Sequence, residues 1–155
     1  MAYPSEENNY LSAHAHLLVD SYRRLLGKQL LAEPGDEHAF ARRLFHAPFA
    51  VVSHDTSAEP IFNYANLTAL RLFAMDWPEF TQLPSRLSAE PVNQAERERL
   101  LAQVTQQGYI DNYQGVRISK TGQRFLIKNA VVWNLLDEQG HYQGQAACFQ
   151  DWQFL

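Results

Sequence analysis

The sequence predicts an α+β fold, in which helices cover one face of a five-stranded antiparallel sheet and an N-terminal helix lies on the outer face. The chain begins with a long segment in which apolar residues have helical spacing. Two short strand-like runs follow, and the chain ends with three longer strand-like runs separated by turns. These three features predict the fold because apolar residues recur every three or four positions in a helix and every second position in a strand.

The composition predicts a single globular domain. The chain has 155 residues, of which 46% are hydrophobic and 19% charged, so it can bury a core of its own. No secretory leader is visible, and no apolar run comes near the roughly 20 residues of a membrane span. The single cysteine, Cys148, excludes a disulfide framework. We therefore expect a cytoplasmic protein without a membrane partner.

The charge pattern argues against nucleic-acid binding. There are 13 Lys and Arg residues against 17 Asp and Glu, which gives a net charge of −4. The densest basic sites are only pairs, Arg23 with Arg24 and Arg42 with Arg43. Since phosphate backbones are attracted by clustered positive charge, we expect no nucleic-acid partner.

Residues 6–31 are predicted to form the N-terminal helix, with Ser5 as its cap and with leucines spaced by seven along its apolar stripe, namely Leu11, Leu18 and Leu25. Pro34 and Gly35 are predicted to end it. We separate residues 1–35, as a helical extension, from a domain over residues 36–155. The stripe is expected to cover the outer sheet face or to pair with a second copy, which predicts a homodimer through residues 6–31.

The middle of the chain predicts short elements. Residues 36–46 have helical spacing, and residues 49–52 and 60–64 are strand-like runs around a turn, which predicts a hairpin. Three polar residues each precede a helical repeat and are predicted to cap a helix: Asn66, Asp76 and Asn93. Gly108 is predicted to end the last of these helices.

The last third predicts a meander of three strands over residues 109–119, 123–136 and 141–150. The predicted registers pair Ile118 with Phe125 and Leu135 with Tyr142. Because side chains alternate across a strand, one face then collects Val116, Ile118, Phe125, Ile127, Val131, Trp133, Leu135, Tyr142, Ala146 and Cys148. The opposite face is mixed and holds Arg117, Arg124, Leu126, Lys128, Ala130, Val132, Gln145 and Phe149.

One segment resembles the signature of PAS domains. It reads Ile61-Phe62-Asn63-Tyr64-Ala65-Asn66 and is followed by Ala69-Leu70 and Leu72-Phe73. In PAS domains a strand ends in an asparagine that caps the next helix. Gly122 and Gly140 also fall where PAS domains turn between their last strands. The resemblance implies the PAS fold.

A narrower resemblance is to the MEKHLA domain family, a PAS-like group. It rests on Tyr113-x-Gly115-x-Arg117-Ile118-Ser119, Val132-Trp133-Asn134 and Gly144-Gln145-Ala146-Ala147. With residues 61–73 it extends over most of residues 10–152. In plants this family's domain lies at the C-terminus of homeodomain–leucine-zipper regulators, and it also occurs as a small stand-alone protein. The resemblance therefore implies a sensory or regulatory role.

The resemblance also bears on cofactors. Light-sensing flavin PAS domains use a reactive cysteine on a helix after the second strand, and haem-binding ones commonly use a helical histidine. This chain has no cysteine at that place and no histidine between Asp55 and His141. We therefore expect neither flavin nor haem, and no other cofactor.

Other residues with reactive side chains predict no catalytic or metal site. His14 and His16 lie two apart on a helix and point in different directions, so they cannot easily share a metal ion. Ser53, His54 and Asp55 are the residue types of a hydrolase triad, but consecutive strand residues alternate sides and cannot converge. Cys148 is expected to be a small buried hydrophobic residue rather than a redox nucleophile.

Asn129 is the main candidate for ligand binding. The predicted registers place it on the apolar face, opposite Gln114 and Cys148, and a buried amide must find hydrogen-bond partners. Either Gln114 and Asn129 satisfy each other, or they orient a small molecule in a cavity with apolar walls. The candidate ligand-binding residues are Asn129, Gln114, Trp133, Tyr142, Tyr64 and Val131.

The sequence thus favours a stand-alone PAS-like sensory domain, without enzymatic activity, that binds a small molecule or mediates regulatory protein association. Two alternatives stay open. One is a ligand-free module for protein interaction or dimerisation. The other is a small α+β enzyme for a hydrophobic substrate, with Tyr64, Tyr142 and Asn129 in its pocket.

Overall fold

The chain folds into an antiparallel sheet with helices on both faces, in a computed structural model that describes residues 2–31 and 37–155. The helices are α1 Ser12–Leu26, α2 Glu37–Phe45, α3 Leu67–Phe73, α4 Trp77–Phe80 and α5 Pro91–Gln107. The strands are β1 Ala50–His54, β2 Phe62–Ala65, β3 Tyr109–Ile118, β4 Arg124–Leu136, β5 Tyr142–Phe149 and β6 Asp151–Phe154. The predicted α+β class and its five strands are confirmed.

The strand order is β2-β1-β5-β4-β3, and all pairs are antiparallel. The predicted hairpin is β1 with β2. A sixth strand, β6, was not apparent from the pattern; it pairs with β4 from Phe125 to Lys128, on the side that β5 leaves free. We call the sheet face towards α5 the inner face and the face towards α1 the outer face.

The N-terminal helix is shorter than predicted. Residues Glu6–Leu11 form a 3-10 turn, in which Asn9, Tyr10 and Leu11 have left-handed backbone angles. The Asn8 side chain holds this turn by accepting hydrogen bonds from the Ser5 and Leu11 N–H groups, in competition with helical bonding. At the other end α1 stops at Gly27, whose N–H donates to the Arg23 carbonyl. The predicted stop at Pro34 and Gly35 lies outside the described residues.

α1 packs on its own sheet through Ala15, Leu18, Ser21 and Tyr22, all buried. Trp133 Nε1 donates to the Leu18 carbonyl at 3.2 Å, and the Tyr22 ring meets the Trp133 ring edge-on. The Ser21 hydroxyl bonds the backbone of Leu136. The expectation that this helix covers a sheet face is confirmed, but the covered face is the one that carries Trp133, not the one that carries Val132.

Both hairpins of the meander have three-residue loops, so the two predicted registers are wrong. Gly122 and Gly140 end the two loops in the left-handed region, at φ 86° and 85°, as such loops require. Arg117 therefore pairs with Phe125, one residue away from the prediction. In the second hairpin Leu136, rather than Leu135, pairs with Tyr142.

Two bulges between β3 and β4 decide which residues share a face. β3 has an extra residue between Ile110 and Tyr113, and β4 has one between Ile127 and Ala130. Asn112 and Asn129 occupy the bulges with left-handed backbone angles, which asparagine tolerates better than most residues. After its bulge β4 turns Ala130, Val132 and Asn134 to the inner face and Val131, Trp133 and Leu135 to the outer face. The predicted apolar face is therefore split between the two faces of the sheet.

Two of the three helix caps predicted in the middle of the chain are confirmed. The Asn66 and Asp76 side chains accept the Ala69 and Glu79 N–H groups. The prediction for Asn93 is wrong: Pro91 begins α5 and Glu90 is its cap residue, since proline suits the first turn of a helix. The predicted end at Gly108 is confirmed.

Candidate functional site

A cavity of about 70 Å³ lies between the inner face and α5. Most of its wall is apolar and comes from Phe62, Phe73, Leu100, Ile127, Val132 and Phe149. Pockets for drug-sized ligands measure roughly 300–1,000 Å³. Only a small molecule therefore fits this cavity unless side chains move.

Two buried arginines line the cavity, Arg97 from α5 and Arg117 from β3. Arg97 belongs to the apolar stripe of its helix, with Leu100 and Val104 following at helical spacing. Its guanidinium donates to the Ser85 hydroxyl at 2.5 Å. Burial, and then the nearby charge of Arg117, lower the pKa of Arg97 to about 10. Arg97 is therefore cationic at neutral pH, as arginine side chains in proteins generally are.

Tyr113 connects the helix to the strand beside these arginines. Its hydroxyl donates to the Glu96 carboxylate at 3.0 Å and accepts from the Arg117 guanidinium at 3.1 Å. The ring lies across Gly115, where a Cβ atom would collide with the tyrosine hydroxyl. The glycine is thus the reason that Tyr113 can lie flat on its own strand and reach α5. Burial is the main cause that raises the pKa of Tyr113, so its hydroxyl keeps its proton.

His54 adds a buried imidazole to the same wall. Its Nδ1 lies 3.0 Å from the Asp55 carbonyl, which places the hydrogen on Nδ1. Nε2 is buried without a hydrogen-bond partner of good geometry, although Gln145 lies beside it on the neighbouring strand. The Gln145 amide nitrogen instead lies 3.0–3.1 Å from the Leu101 carbonyl, the Thr105 hydroxyl and Asn134 Oδ1, which share its two N–H groups. Burial lowers the pKa of His54, and the charge of Arg97 adds to this effect.

The structure does not bring the six predicted ligand-binding residues together. Asn129 and Gln114 are exposed, because the bulge turns Asn129 outward, where its amide donates to the Asp151 carboxylate at 3.1 Å. Trp133, Val131 and Tyr64 lie in the core shared with α1. Tyr142 is exposed. The expected position of Asn129 on the apolar face, and its pairing with Gln114, are wrong.

Sequence reasoning missed the two arginines for different reasons. The two-residue loop predicted for the first hairpin places Arg117 on the sheet face opposite to the one that it occupies in the structure. Arg97 carried a usable signal, since it stands three and seven residues before the apolar Leu100 and Val104. A charge on the apolar stripe of a helix is rarely buried without a partner.

A second polar cluster lies under α1. The Ser53 hydroxyl donates to Asn63 Oδ1 at 2.6 Å, so His14 Nε2, at 2.9 Å, carries the hydrogen it shares with Ser53. The His14 ring stacks on Tyr64 with the centroids 5.5 Å apart. The Tyr64 hydroxyl is buried without a partner among the described residues. Burial lowers the pKa of His14 to about 4.

This cluster predicts a loss of stability in mild acid. Between pH 6.5 and 4 the unfolded chain protonates His14 but the folded chain does not, so the free energy of unfolding falls as the pH is lowered. The full loss from this residue is about 3 kcal/mol. Urea unfolding measured across this range should show this loss together with that of His54, whose pKa burial also lowers. His14→Gln should remove the part due to His14, while His141→Gln, in an exposed loop, should not. An unchanged pH profile in His14→Gln would contradict the assignment.

A sequence model of the MEKHLA domain matches residues 12–154. The chain belongs to the MEKHLA domain family. The match begins at the first residue of α1, so the family's domain includes this helix. Among curated proteins, the chain is similar to the homeobox-leucine zipper protein HOX10 of Oryza sativa subsp. japonica, with 27% identity over 143 residues. The aligned region covers 91% of this chain and 17% of that protein.

Solved structures show the fold of this MEKHLA domain. The PAS domain of a Colwellia psychrerythraea protein superposes with a TM-score of 0.62 at 16% identity, over 72% of this chain and 92% of that one. The light-state dimer of the fungal blue-light photoreceptor Vivid gives 0.59 at 14% identity, over 96% and 95% of the two chains. The fold is therefore that of PAS and light-oxygen-voltage domains.

Three further features of the MEKHLA domain bear on the sequence predictions. Cys148 is partly buried, and burial raises the pKa of its thiol to about 12, which suits a packing residue more than a nucleophile. Within the described ranges, no helix is both long and apolar enough to cross a membrane. No group of three metal-ligating side chains gathers there either. The absence of nucleic-acid binding stays a prediction.

Proposed function

We propose that this MEKHLA domain is a sensory domain that binds a small molecule in the cavity between α5 and the inner sheet face. One observation carries the proposal. An apolar cavity is lined by three buried polar side chains, Arg97, Arg117 and His54, and His54 Nε2 has no hydrogen-bond partner of good geometry. Buried polar groups without partners are costly, and a bound molecule would satisfy them.

The mechanism we propose is a shift in the packing of α5. Polar contacts hold the helix to the sheet from both sides of the cavity: Tyr113 with Glu96 on one side, and Gln145 with Thr105 on the other. A ligand between them favours one position of the helix over others. The changed surface would then be recognised by another protein or by a second copy of the chain.

The homodimer through residues 6–31 remains part of the proposal. In one chain α1 already buries its apolar side, and none of its leucines is fully exposed. A dimer would therefore join the outer surface of the turn and helix rather than the stripe itself. Light scattering on the purified chain gives the mass directly, and a monomer at micromolar concentration would rule out a tight dimer.

A ligand-free interaction module is the second candidate, and the small volume of the cavity favours it. The enzyme alternative gains no support from its residues. Tyr64 is buried on the outer face, whereas Asn129 and Tyr142 are exposed. The absence of catalysis stays a prediction.

A cavity-filling variant separates the two leading candidates. Ala147 lines the cavity, so Ala147→Leu should occupy it and abolish small-molecule binding. The control is Ala95→Leu, at an exposed position of α5. Native mass spectrometry of freshly purified protein, followed by a thermal-shift screen of small organic compounds, gives the readout. We expect the parent and Ala95→Leu to bind, with Ala147→Leu losing the response.

The opposite result is also informative. If the parent carries no added mass and responds to no compound, while Ala147→Leu unfolds at a higher temperature, then the cavity is a packing defect. The ligand-free module would replace the sensory domain.

A further inference from the structure

We infer, on the basis of the ligand-binding function proposed above, that the ligand is a small organic carboxylate whose charged group lies between Arg97 and Arg117. The apolar walls of the cavity would hold the rest of the molecule. The fold alone does not identify the chemical class of the ligand.

The first step is the charge balance of the site. Arg117 lies close enough to Arg97 for its charge to lower the pKa of Arg97, and both residues are more than nine-tenths buried. Among residues 2–31 and 37–155, neither forms an ion pair with a carboxylate. Glu96 reaches only the Tyr113 hydroxyl, and Glu98 lies on the exposed side of α5. The site therefore holds two positive charges without a bonded counter-ion.

The second step is the hydrogen bonding. A guanidinium has five N–H donors, and Arg97 uses one of them on Ser85. Arg117 donates to the Val116 carbonyl and to the Tyr113 hydroxyl, both of which are neutral acceptors. Donors remain on both groups, and the planar fork of a guanidinium matches the two oxygens of a carboxylate.

The third step is the cost of this arrangement without an anion. Buried charges are tolerated when they are paired, and an unpaired one is strongly destabilising. Arg97 does not remove this cost by losing a proton at neutral pH, because its pKa stays near 10. An anion supplies the missing partner to both groups at once. Because most of the remaining wall is apolar, an organic anion suits the cavity better than an inorganic one.

The test compares carboxylates with their isosteric amides on the full-length chain. Butyrate, hexanoate and benzoate are titrated against butanamide, hexanamide and benzamide, with NMR chemical shifts and calorimetry as readouts. Inorganic phosphate tests a charge without an apolar body. We expect at least one carboxylate to bind at least tenfold more tightly than its amide, and phosphate to bind weakly.

Two variants test the residues. Arg97→Gln keeps a donor for Ser85 but removes the charge, and Arg99→Gln removes a charge from the exposed side of the same helix. Arg97→Gln should weaken carboxylate binding about 10- to 100-fold, while its unliganded melting temperature holds or rises because a buried unpaired charge is gone. Arg99→Gln should bind like the parent.

The outcomes distinguish this inference from the proposed function. Equal binding of an amide and its carboxylate would overturn the carboxylate class but keep the binding site. Tight phosphate binding would overturn the role of the apolar walls. No binding of any compound, in the parent or in the broader screen, would overturn both. The comparison of carboxylate with amide needs no variant, so the inference stays testable even if Arg97→Gln folds poorly.

Discussion

Replacing Asn66 with alanine should lower the free energy of unfolding by at least about 3 kcal/mol. The side chain is fully buried at the junction of β2 and α3. Its oxygen accepts the N–H groups of Val51 and Ala69, and its amide donates to the carbonyls of Leu44 and Phe49, at 2.7–3.1 Å. Alanine removes all four hydrogen bonds and leaves the buried N–H groups of Val51 and Ala69 without the oxygen that they bond, whereas the Leu44 carbonyl keeps the Ala47 N–H. Each unpaired group costs about 1–3 kcal/mol when it is not rehydrated.

Equilibrium urea unfolding followed by tryptophan fluorescence measures this loss. Asn93→Ala is the matched control, since Asn93 lies in the first turn of α5 but Glu90 is the cap residue there. It should change the free energy of unfolding by no more than about 0.5 kcal/mol. A loss below about 1 kcal/mol in Asn66→Ala would show that water replaces the amide.

Asn66 also shows what the sequence alone could predict. When a single asparagine lies between a strand and a segment with helical spacing, one simple local arrangement is available, in which its side chain caps the helix. Local signals of this kind predicted the hairpin, two of the caps and the meander. They also placed Gly108 at the end of α5, because helix ends depend on residues close in the chain.

The side-chain faces of β4 could not be predicted in the same way. A bulge changes the face of every residue after it, and Asn129 differs little from an ordinary polar residue in a strand. The loop length of the first hairpin had the same effect on Arg117. Arg117 was thus out of place in the predicted site, although the strands over residues 109–119 and 123–136 were predicted correctly to within one residue. A one-residue error in register is enough to exchange the two faces of a strand.

The sequence could predict α1 as a helix. The sheet surface on which α1 packs, however, depends on which side chains of β4 lie on each face. In the structure α1 covers Val131, Trp133, Leu135, Ala146 and Cys148, which belong to the outer face. The polar cluster of His14, Ser53 and Asn63 lies under the same helix. The helix is therefore part of the domain's core rather than an appendage, in line with a family match that begins at residue 12.

Deleting residues 1–32 should accordingly abolish cooperative folding or leave an aggregating chain. Leu18 and Tyr22 alone contribute about 1.5–3 kcal/mol each by burial. The hydrogen bonds of Trp133 and Leu136 to the helix are lost with them. The whole stability of a domain is about 5–15 kcal/mol, so these losses remove most of it. The exposed outer face, with Trp133 at its centre, would then bind a second copy.

Size-exclusion chromatography with light scattering and thermal melts on both chains measure the effect. Full-length Leu18→Ala tests the same packing without truncation and should cost about 2–5 kcal/mol. Ala13→Leu, at an exposed position of α1, is its control and should leave the melting temperature within about 2 °C. A truncated chain that is monomeric, soluble and melts with the parent would show instead that the sheet and the remaining helices form a complete core. In that case the contacts of Leu18 with Trp133 would add nothing to the stability of the domain.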